Sequence, residues 1–508
     1  MVPLPEHVSI FVIGAGFGGL CAAIKLAESG EQDFLVIDRG DEVGGTWRDN
    51  TYPGAACDVP SQLYSFSFAL NPDWSRSFSP QPEIQDYLRT VAERSGVLDR
   101  FRFGVTFQSG AWDDDAAVWR IETSAGPTTA TLLVAAAGAL SDPKLPDIEG
   151  LDRFGGRIFH SAEWNHDLDL AGKRVAVIGT GASAIQIVPS IASTVASLDV
   201  YQRTAPWVMP RRDRAYRPFE QLAMRRVPGL QRAVRNLVYL AREATVPMFL
   251  GAPVIGKLAG RAATANIAGA ISDPVLRAKV TPHFDLGCKR VLISNDWYPA
   301  LTRDNVELIT DRISQVTETC VLTSDGVERP VDVLIVATGF LATELPIAHH
   351  LKGGTGQTLS DAWSAEGIQA YKGATVAGFP NLFFVVGPNT GLGHSSMVYM
   401  IESQVAYLVD AWRTMRRHGL ATVEPEPDSQ RRWKSDVQRR MKRTVWARGG
   451  CQSWYLDKHG RNVTLWPRTT YKFRQLTARF DLAAYRSTAR DDRPADSQLN
   501  RPIDRETA

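Results

Sequence analysis

The chain has 508 residues, of which 44% are hydrophobic and 22% charged, and its 57 basic and 55 acidic side chains leave a net charge of +2. This length favours two or three domains. The basic and acidic side chains nearly balance, so there is no strong electric field that would favour nucleic acid as a partner. The five cysteines include no CxxC pair, which argues against a disulfide framework, a zinc or other metal site and a dithiol redox centre.

The first predicted element is an apolar strand over 8–13 that leads into a glycine-rich turn, a helix over 20–29 and a second strand over 34–38. The glycines of such a turn allow a tight bend, close approach of a pyrophosphate and close packing of helix on strand. The helix N-terminus attracts phosphate, and an acid at the end of the second strand suits a ribose. The unit predicts a dinucleotide site formed by Gly14, Gly16, Gly19 and Asp38.

A second glycine-containing segment, 44–47, is followed by 50–58. Together with the first turn, these segments resemble the flavoprotein monooxygenases that use FAD and NADPH, and in particular the Baeyer–Villiger monooxygenases. The resemblance implies that the first turn binds FAD and that Asp58 is the acid near the isoalloxazine ring. It also implies that the flavin lies along Gly45, Thr46 and Trp47.

A linker containing Pro143, Pro146 and Gly150 leads to a spaced motif. The motif matches the fingerprint of these monooxygenases and consists of Phe154, Gly156, His160 and Trp164. The resemblance places His160 and Trp164 between domains, where we expect them to couple domain position to cofactor binding. Asn165 stands where Baeyer–Villiger members usually carry proline or aspartate, so an S- or N-oxygenating flavin monooxygenase stays open as an alternative.

A second dinucleotide turn follows the predicted strand 173–178, and it is followed by a helix over 185–192 and a strand over 198–201. That last strand ends in Gln202, Arg203 and Thr204 rather than an acid. A cation and a hydroxyl suit a 2′-phosphate, so the sequence predicts NADPH. The expected NADPH site consists of Gly179, Thr180, Gly181, Ser183, Gln186, Arg203 and Thr204.

Residues 207–285 form an insertion with helix-period segments at 230–241 and 253–270 and an apolar composition interrupted by basic residues. The resemblance implies a helical subdomain that walls the substrate entrance. Peripheral membrane contact is the less favoured interpretation of this composition.

Cys288, Lys289 and Arg290 come next, and the resemblance implies that Lys289 lies at the cofactor and that Arg290 faces the flavin. Reduced flavin and O2 give a C4a-peroxyflavin, which attacks a ketone as an anion. A fixed guanidinium would stabilise that charge and the oxyanion that follows. We therefore expect Arg290 to be catalytic, with Asp58 orienting it.

The chain then returns to the first domain through a strand over 333–339, whose turn contributes Ala337 and Thr338 to the cofactor site. Ser396 and Met397, ahead of a helix over 398–417, are expected to line the substrate pocket. The resemblance places Trp454 against bound NADP and beside that pocket.

These patterns predict an α/β fold with two Rossmann-like dinucleotide-binding domains, for FAD and NADPH, and a helical insertion in the second. The expected boundaries are an FAD domain over 1–145 and 336–483, an NADPH domain over 146–335 and a disordered tail over 484–508. The expected activity is oxygenation of a small-molecule ketone with O2 to give an ester or lactone. The alternative from another class is a flavin reductase that passes electrons to a partner.

No signal peptide is evident, and the longest apolar run, 244–255, is too short to span a bilayer. We therefore expect a cytoplasmic protein, either a monomer or a small homo-oligomer.

Overall fold

The computed structural model describes residues 3–490, and its first region supplies most strands of the larger sheet. Strands β1 and β2 are apolar and mostly buried, as parallel strands covered by helices on both faces must be. The elements are β1 (His7–Ile13), α1 (Phe17–Glu28), β2 (Phe34–Asp38), α2 (Thr46–Asp49), α3 (Gln81–Ser95), β3 (Phe101–Phe103), β4 (Phe107–Asp113), β5 (Val118–Thr123) and β6 (Gly126–Ala135).

The second region contains the smaller sheet and the helical insertion. Its elements are β7 (Arg157–His160), β8 (Arg174–Ile178), α4 (Ala184–Ile191), β9 (Ser197–Tyr201), β10 (Val208–Met209), α5 (Pro218–Arg226), α6 (Leu230–Glu243), α7 (Val246–Phe249), α8 (Pro253–Ala270), α9 (Pro274–Val280), β11 (Leu292–Ile293), α10 (Trp297–Leu301), β12 (Val306–Ile309), β13 (Ile313–Val316), β14 (Cys320–Thr323), β15 (Glu328–Pro330) and β16 (Val333–Val336). The predicted helix over 253–270 is confirmed, and the one predicted over 230–241 extends to Glu243.

The third region returns to the larger sheet and adds the long helix that packs on α1. Its elements are β17 (Leu351–Lys352), α11 (Leu359–Glu366), β18 (Leu382–Phe384), α12 (Met397–Arg417), β19 (Leu420–Pro425), α13 (Pro427–Met441), α14 (Val445–Arg448), α15 (Thr470–Thr477) and β20 (Tyr485–Ala489). None of the described helices is long and apolar enough to cross a lipid bilayer.

The larger sheet has the strand order β17-β4-β5-β6-β1-β2-β3, and β18 also pairs with β6. Strand β1 is parallel to β2 and to β6, with Ile13 opposite Ile37 and Ala135. Strand β5 runs antiparallel to both of its neighbours, β4 and β6. The first glycine turn therefore lies at the carboxyl end of a central parallel strand, where open α/β sheets bind their ligands.

The smaller sheet is parallel throughout and has the order β12-β9-β8-β16-β7. Strand β8 is followed by the second glycine turn and lies between β9 and β16, so the strand order reverses beside it. The predicted α/β fold with two Rossmann-like units is confirmed.

Two connections join the sheets, and they pair with each other. The outgoing segment 136–147 and the returning segment 337–345 run antiparallel, with hydrogen bonds from Lys144 N to Gly339 O (2.8 Å) and from Leu341 N to Asp142 O (3.0 Å). We call this pair of segments the connecting ribbon.

Two of the sequence-based predictions are wrong. The argument against a disulfide fails for one pair, because Cys288 and Cys451 are bonded across 163 residues. The other three cysteines, Cys21, Cys57 and Cys320, are free. The pairing links the segment before Arg290 to the loop that carries Trp454, and no local spacing signals such a long-range contact.

The second wrong prediction concerns the tail, which does not begin at 484. Strand β20 pairs antiparallel with β19, because the buried ring of Tyr485 anchors it through hydrogen bonds with Thr375 and Tyr407. The rest of the predicted tail, 491–508, lies outside the described residues.

Candidate functional site

The first glycine turn is held by close backbone contacts. Gly14 has φ of +104°, and a Cβ there would lie 2.6 Å from the carbonyl oxygen of Ala136. A Cβ on Gly19 would lie 1.7 Å from Gly14 O. Gly16 caps α1 and exposes the helix N-terminus to the cleft. The turn therefore has the bare backbone that a pyrophosphate needs.

Asp38 ends β2 and is fixed by three donors. It accepts hydrogen bonds from Ala15 N (2.6 Å) and Gly40 N (2.8 Å), and Arg48 forms an ion pair with it at 2.7 Å. The carboxylate thus holds the turn as well as facing the cleft.

The segment Gly45, Thr46 and Trp47 forms the wall beside this turn. A Cβ on Gly45 would lie 3.0 Å from Gly16 Cα, so the two glycines face each other at short range. The Trp47 indole donates to Tyr64 Oη at 3.0 Å, which fixes the ring orientation. A cradle of glycine backbone and aromatic side chains results.

The second turn repeats the geometry of the first. Gly179 has φ of +117°, and a Cβ there would lie 2.5 Å from Ala337 O. Around Gly181 there is open space, which leaves its backbone accessible. Thr180 donates to Thr204 O at 3.4 Å, and Ser183 directly precedes α4.

Cationic groups converge beside the second turn. Arg203 and Lys289 both line the cleft, and the Lys289 ammonium lies 5.1 Å from the centroid of the Phe284 ring. Burial, and secondly the charge of Arg203, lower the pKa of Lys289. Two cations whose charges interact in this way suit an anionic group bound beside them.

Gln186 contacts the other domain as well as lining the cleft. Its side-chain amide donates to Ala56 O at 3.0 Å and accepts from the Tyr52 hydroxyl at 3.2 Å. The sequence predicted only a cofactor contact at this position. The contact across the domains has no signal in the spacing of the second turn.

Arg290 and Asp58 form an ion pair in the wall of the cleft. Arg290 Nε lies 2.9 Å from Asp58 Oδ2, and Nη2 contacts the same oxygen. The charge of Asp58 raises the pKa of Arg290, so the guanidinium is permanently positive. The structure brings together two residues 232 positions apart that we had predicted to act as a pair.

The sequence missed a second arginine at this point. Arg242, at the end of α6, donates to the backbone oxygen of Asp58 at 3.2 Å and lines the cleft. Burial lowers its pKa, against the opposing charge of Asp58. Its position one residue beyond the predicted helix end at 241 was the available signal.

A buried His–Glu pair was also missed. His394 Nε2 lies 3.1 Å from Glu243 Oε1, and Thr470 Oγ1 donates to the same oxygen at 2.7 Å. Burial opposes the charge of Glu243, but the hydrogen bonds from His394 and Thr470 prevail and lower its pKa. His394 lines the cleft, so α6 is tied to the cleft wall at this point.

The predicted pocket residues separate into two groups. Met397 and the half-exposed Trp454 line the cleft. Ser396 does not: it is fully buried and its hydroxyl accepts from Val398 N as the cap of α12, because a serine directly before a helix satisfies a free backbone amide. Ser395 lines the cleft instead.

His160 lies where the smaller sheet meets the connecting ribbon. Its buried ring contacts Phe340 of the ribbon edge-on at 5.4 Å between centroids, and Nδ1 accepts from Ala162 N at 3.1 Å. Burial lowers its pKa. Trp164 packs edge-on against Phe159 at 5.2 Å, which holds the motif to β7.

Ala337 and Thr338 begin the returning half of the ribbon and line the cleft. The Thr338 hydroxyl donates to Lys144 O in the outgoing half. These residues therefore contribute to the cleft through the connection between domains.

One cleft of about 1810 Å³ contains both glycine turns, the cationic cluster and the Arg290–Asp58 pair. Drug-sized ligands occupy pockets of about 300–1,000 Å³, so this volume accommodates more than one ligand. Two bare glycine turns at helix N-termini, one walled by aromatic rings and one by cations, fit a flavin dinucleotide and a phosphorylated nicotinamide dinucleotide.

Comparisons with known proteins agree with this geometry. The family model described as FMO-like, flavin-binding monooxygenase-like, matches residues 7–241. A Baeyer-Villiger monooxygenase of Streptomyces coelicolor is 50% identical over 495 residues, which cover 97% of this chain and 94% of that protein.

Solved structures give the same picture. A crystal structure of OTEMO in complex with FAD and NADP superposes with a TM-score of 0.86 at 27% identity, covering 96% of this chain and all of that one. A closed crystal structure of cyclohexanone monooxygenase gives a TM-score of 0.85 at 28% identity, with the same coverage.

Proposed function

The chain belongs to the Baeyer–Villiger monooxygenases, and within that activity we propose that Arg290 and Asp58 form the group that promotes oxygen transfer to the ketone. The enzyme uses FAD, NADPH and O2 to convert a ketone into an ester or lactone. Bound FAD, once reduced by NADPH, supplies the oxygen chemistry.

The first turn holds FAD in this proposal. Gly14, Gly16 and Gly19 leave backbone amides free for the pyrophosphate, and the N-terminus of α1 favours its charge. Trp47, fixed by Tyr64, would line the flavin side of the cradle. Asp38 would accept from the ribose.

The second turn holds NADPH, and Arg203, Thr204 and Lys289 would bind its 2′-phosphate. An acid at this position would repel that phosphate, and the sequence has none there. Burial, and secondly the charge of Arg203, lower the pKa of Lys289, and an anion bound beside both cations would offset their repulsion.

Arg290 would stabilise the negative charge that the ketone oxygen gains when its carbonyl carbon is attacked. The pKa of Arg290 is raised, so it stays charged throughout the working pH range and cannot serve as a proton donor. Asp58 orients the guanidinium through Nε and Nη2. The observation that carries the proposal is that this ion pair lies in the same cleft as both glycine turns.

The ketone would enter beside Met397 and Trp454. Both line the cleft, and their apolar surfaces would exclude water from the reacting carbonyl. A cytoplasmic location and a monomeric or small homo-oligomeric state stay predictions.

The test is a product assay with a panel of ketones, NADPH and ¹⁸O-labelled O2. We expect esters or lactones that carry one labelled oxygen. Arg290→Ala should lower the yield per NADPH consumed by at least about 100-fold, since loss of one oxyanion-stabilising donor costs about 10²–10³ in rate. Arg290→Lys keeps the positive charge and should recover part of the lost yield.

The surface variant Arg303→Ala is the matched control, because Arg303 is exposed and does not line the cleft. If Arg290→Ala forms ester as fast as the control, the assigned role is wrong. NADPH consumption that yields only peroxide in the unmodified enzyme would instead support a reductase.

A further inference from the structure

Helix α6 is amphipathic, but its faces are reversed. Its polar side chains Gln231 and Arg235 are buried, at 9% and 5% exposure. Its leucines Leu237 and Leu240 face outward at 69% and 62% exposure. A helix on a water-facing surface normally shows the opposite arrangement.

Both buried polar side chains of α6 form hydrogen bonds. Gln231 donates to Gln62 Oε1 at 3.1 Å and contacts Asn71 O. Arg235 donates to the backbone oxygens of Leu63 (2.9 Å) and Gln62 (3.2 Å). These bonds fix the rotation of α6 about its axis, so the leucines cannot turn inward.

Helix α5 packs against α6 and carries exposed apolar side chains of its own. Phe219 and Leu222 of α5 and Val227 of the connection are exposed at 63%, 44% and 50%. We call these five side chains the apolar patch: Phe219, Leu222, Val227, Leu237 and Leu240.

The surroundings of the apolar patch are basic. Residues 217–243 contain six arginines and two glutamates, a net charge of +4; Arg235 and Arg242 point inward, and Arg225 is paired with Asp73. Both glutamates are engaged elsewhere, Glu220 by Arg214 and Glu243 by His394 and Thr470. Within residues 3–490, the exposed Arg217, Arg226 and Arg232 form no ion pair.

The charge of the whole chain is unevenly distributed, with the positive excess in the insertion. The insertion 207–285 contains 13 Lys and Arg against 5 Asp and Glu, a net charge of +8, so the remaining sequence carries −6 for a total of +2. A molecule with this asymmetry turns its insertion toward an anionic surface.

We propose that the apolar patch docks on the surface of an anionic lipid bilayer. Exposed Leu and Phe side chains flanked by arginines match the boundary between acyl chains and negative headgroups. A second copy of this chain fits less well, because a two-fold contact would bring the arginines of one copy against those of the other.

The location of α6 gives the docking a consequence for the cleft. Its C-terminal end carries Arg242, which contacts Asp58, and Glu243, which contacts His394. The helix that meets the lipid therefore ends in the cleft wall. An apolar ketone dissolved in the bilayer would have a short path to the cleft.

The experiment is co-sedimentation of the FAD-loaded enzyme with vesicles. We expect binding to vesicles of equal phosphatidylglycerol and phosphatidylcholine, little binding to phosphatidylcholine alone, and loss of binding in 0.5 M NaCl (about a 4 Å screening length). The double variant Leu237→Ser/Leu240→Ser should weaken the apparent affinity at least tenfold. Arg226→Glu/Arg232→Glu should do the same.

The matched control is Val327→Ser/Tyr471→Ser, which removes two exposed apolar side chains outside the insertion and should bind as the unmodified enzyme does. The flavin spectrum and Tm of each variant report whether it is folded. Equal binding by control and patch variants, or no binding to anionic vesicles, would overturn the proposal. So would a dimer, seen by light scattering, that the leucine variant converts to monomer, since that would assign the patch to a second copy.

Discussion

Two arginines reach Asp58, and they differ in what they can do. Arg290 bonds the carboxylate and has a raised pKa, whereas Arg242 bonds the backbone oxygen and has a pKa lowered by burial. Arg290 is thus paired and oriented, while Arg242 has no bond to the carboxylate. We expect charge stabilisation from the first and positioning of the Asp58 backbone from the second.

Replacing Arg203 by alanine should weaken NADPH far more than NADH. Hydrogen bonds to charged groups contribute roughly 1.5–3 kcal/mol, which predicts a KM for NADPH about 10- to 100-fold higher. The KM for NADH, which lacks the 2′-phosphate, should change little. Steady-state kinetics with both cofactors measure this, and an equal loss for both would contradict the assignment of Arg203.

Asp199 lies directly opposite Glu307 on the neighbouring strand. Burial, and then the charge of Glu307, raise its pKa to about 6. At pH values between its ordinary pKa and 6, such a carboxyl keeps its proton in the folded chain but has released it in the unfolded chain. Stability is therefore lost as the pH rises through that window.

Asp199→Asn should accordingly stabilise the protein above pH 6. A shift of about two units corresponds to at most about 3 kcal/mol, and partial exposure reduces this to roughly 1–2 kcal/mol. Denaturant unfolding at pH 8 and pH 4 measures the difference. A gain as large at pH 4 as at pH 8 would show that the charge is not its cause.

Helix and strand ends, rather than whole elements, form the binding cleft. The two glycine turns follow central parallel strands, and in each the first glycine faces the carbonyl oxygen of a residue that begins one half of the connecting ribbon. These turns were predictable because the steric needs of a tight turn are local. The position of Gln186 was not predictable, since it depends on partners from another element. That of Ser396 was not predictable either, since it depends on the cap of α12.

Gly179→Ala tests the second turn. A side chain at φ of +117° and 2.5 Å from Ala337 O should cost at least about 2 kcal/mol of stability and weaken NADPH binding. Gly172→Ala is the control, because its φ is +68° and it faces open space, so backbone strain alone should cost about 1 kcal/mol. Thermal unfolding and NADPH titration compare the two.

Across the whole molecule, features that depend on residues close together in the sequence were predictable, whereas contacts between residues far apart in the sequence were not. The strands that lead into the two glycine turns, and their parallel neighbours β2, β9 and β16, are signalled by runs of apolar residues. The Arg290–Asp58 pair came from a family resemblance, because no periodicity joins residues 232 positions apart. The Cys288–Cys451 bond and the anchoring of β20 by Tyr485 were missed because only the folded chain brings those residues together.

The disulfide makes a prediction for the whole molecule. In the loop-entropy model, closing a loop of 163 residues stabilises a protein by about 5 kcal/mol. Cys451→Ser should lower Tm, and a reductant should lower the Tm of the unmodified protein but not that of the variant. Cys320→Ser, which removes a free thiol, should change neither.

Thiol titration of the denatured, unreduced protein provides the direct check. We expect three free thiols, from Cys21, Cys57 and Cys320. Five would contradict the bond.

The connecting ribbon gives the molecule a mechanical property. Its two antiparallel segments are joined by hydrogen bonds, so neither can slide along the other without breaking those bonds, but the pair can bend out of its own plane. We therefore expect the ribbon to act as a hinge between the two glycine turns, and hinge motions of this kind take microseconds to milliseconds. Since the two halves of the ribbon start at Ala136 and Ala337, which touch the two glycine turns, we expect a cofactor bound in either turn to stiffen one end of the ribbon.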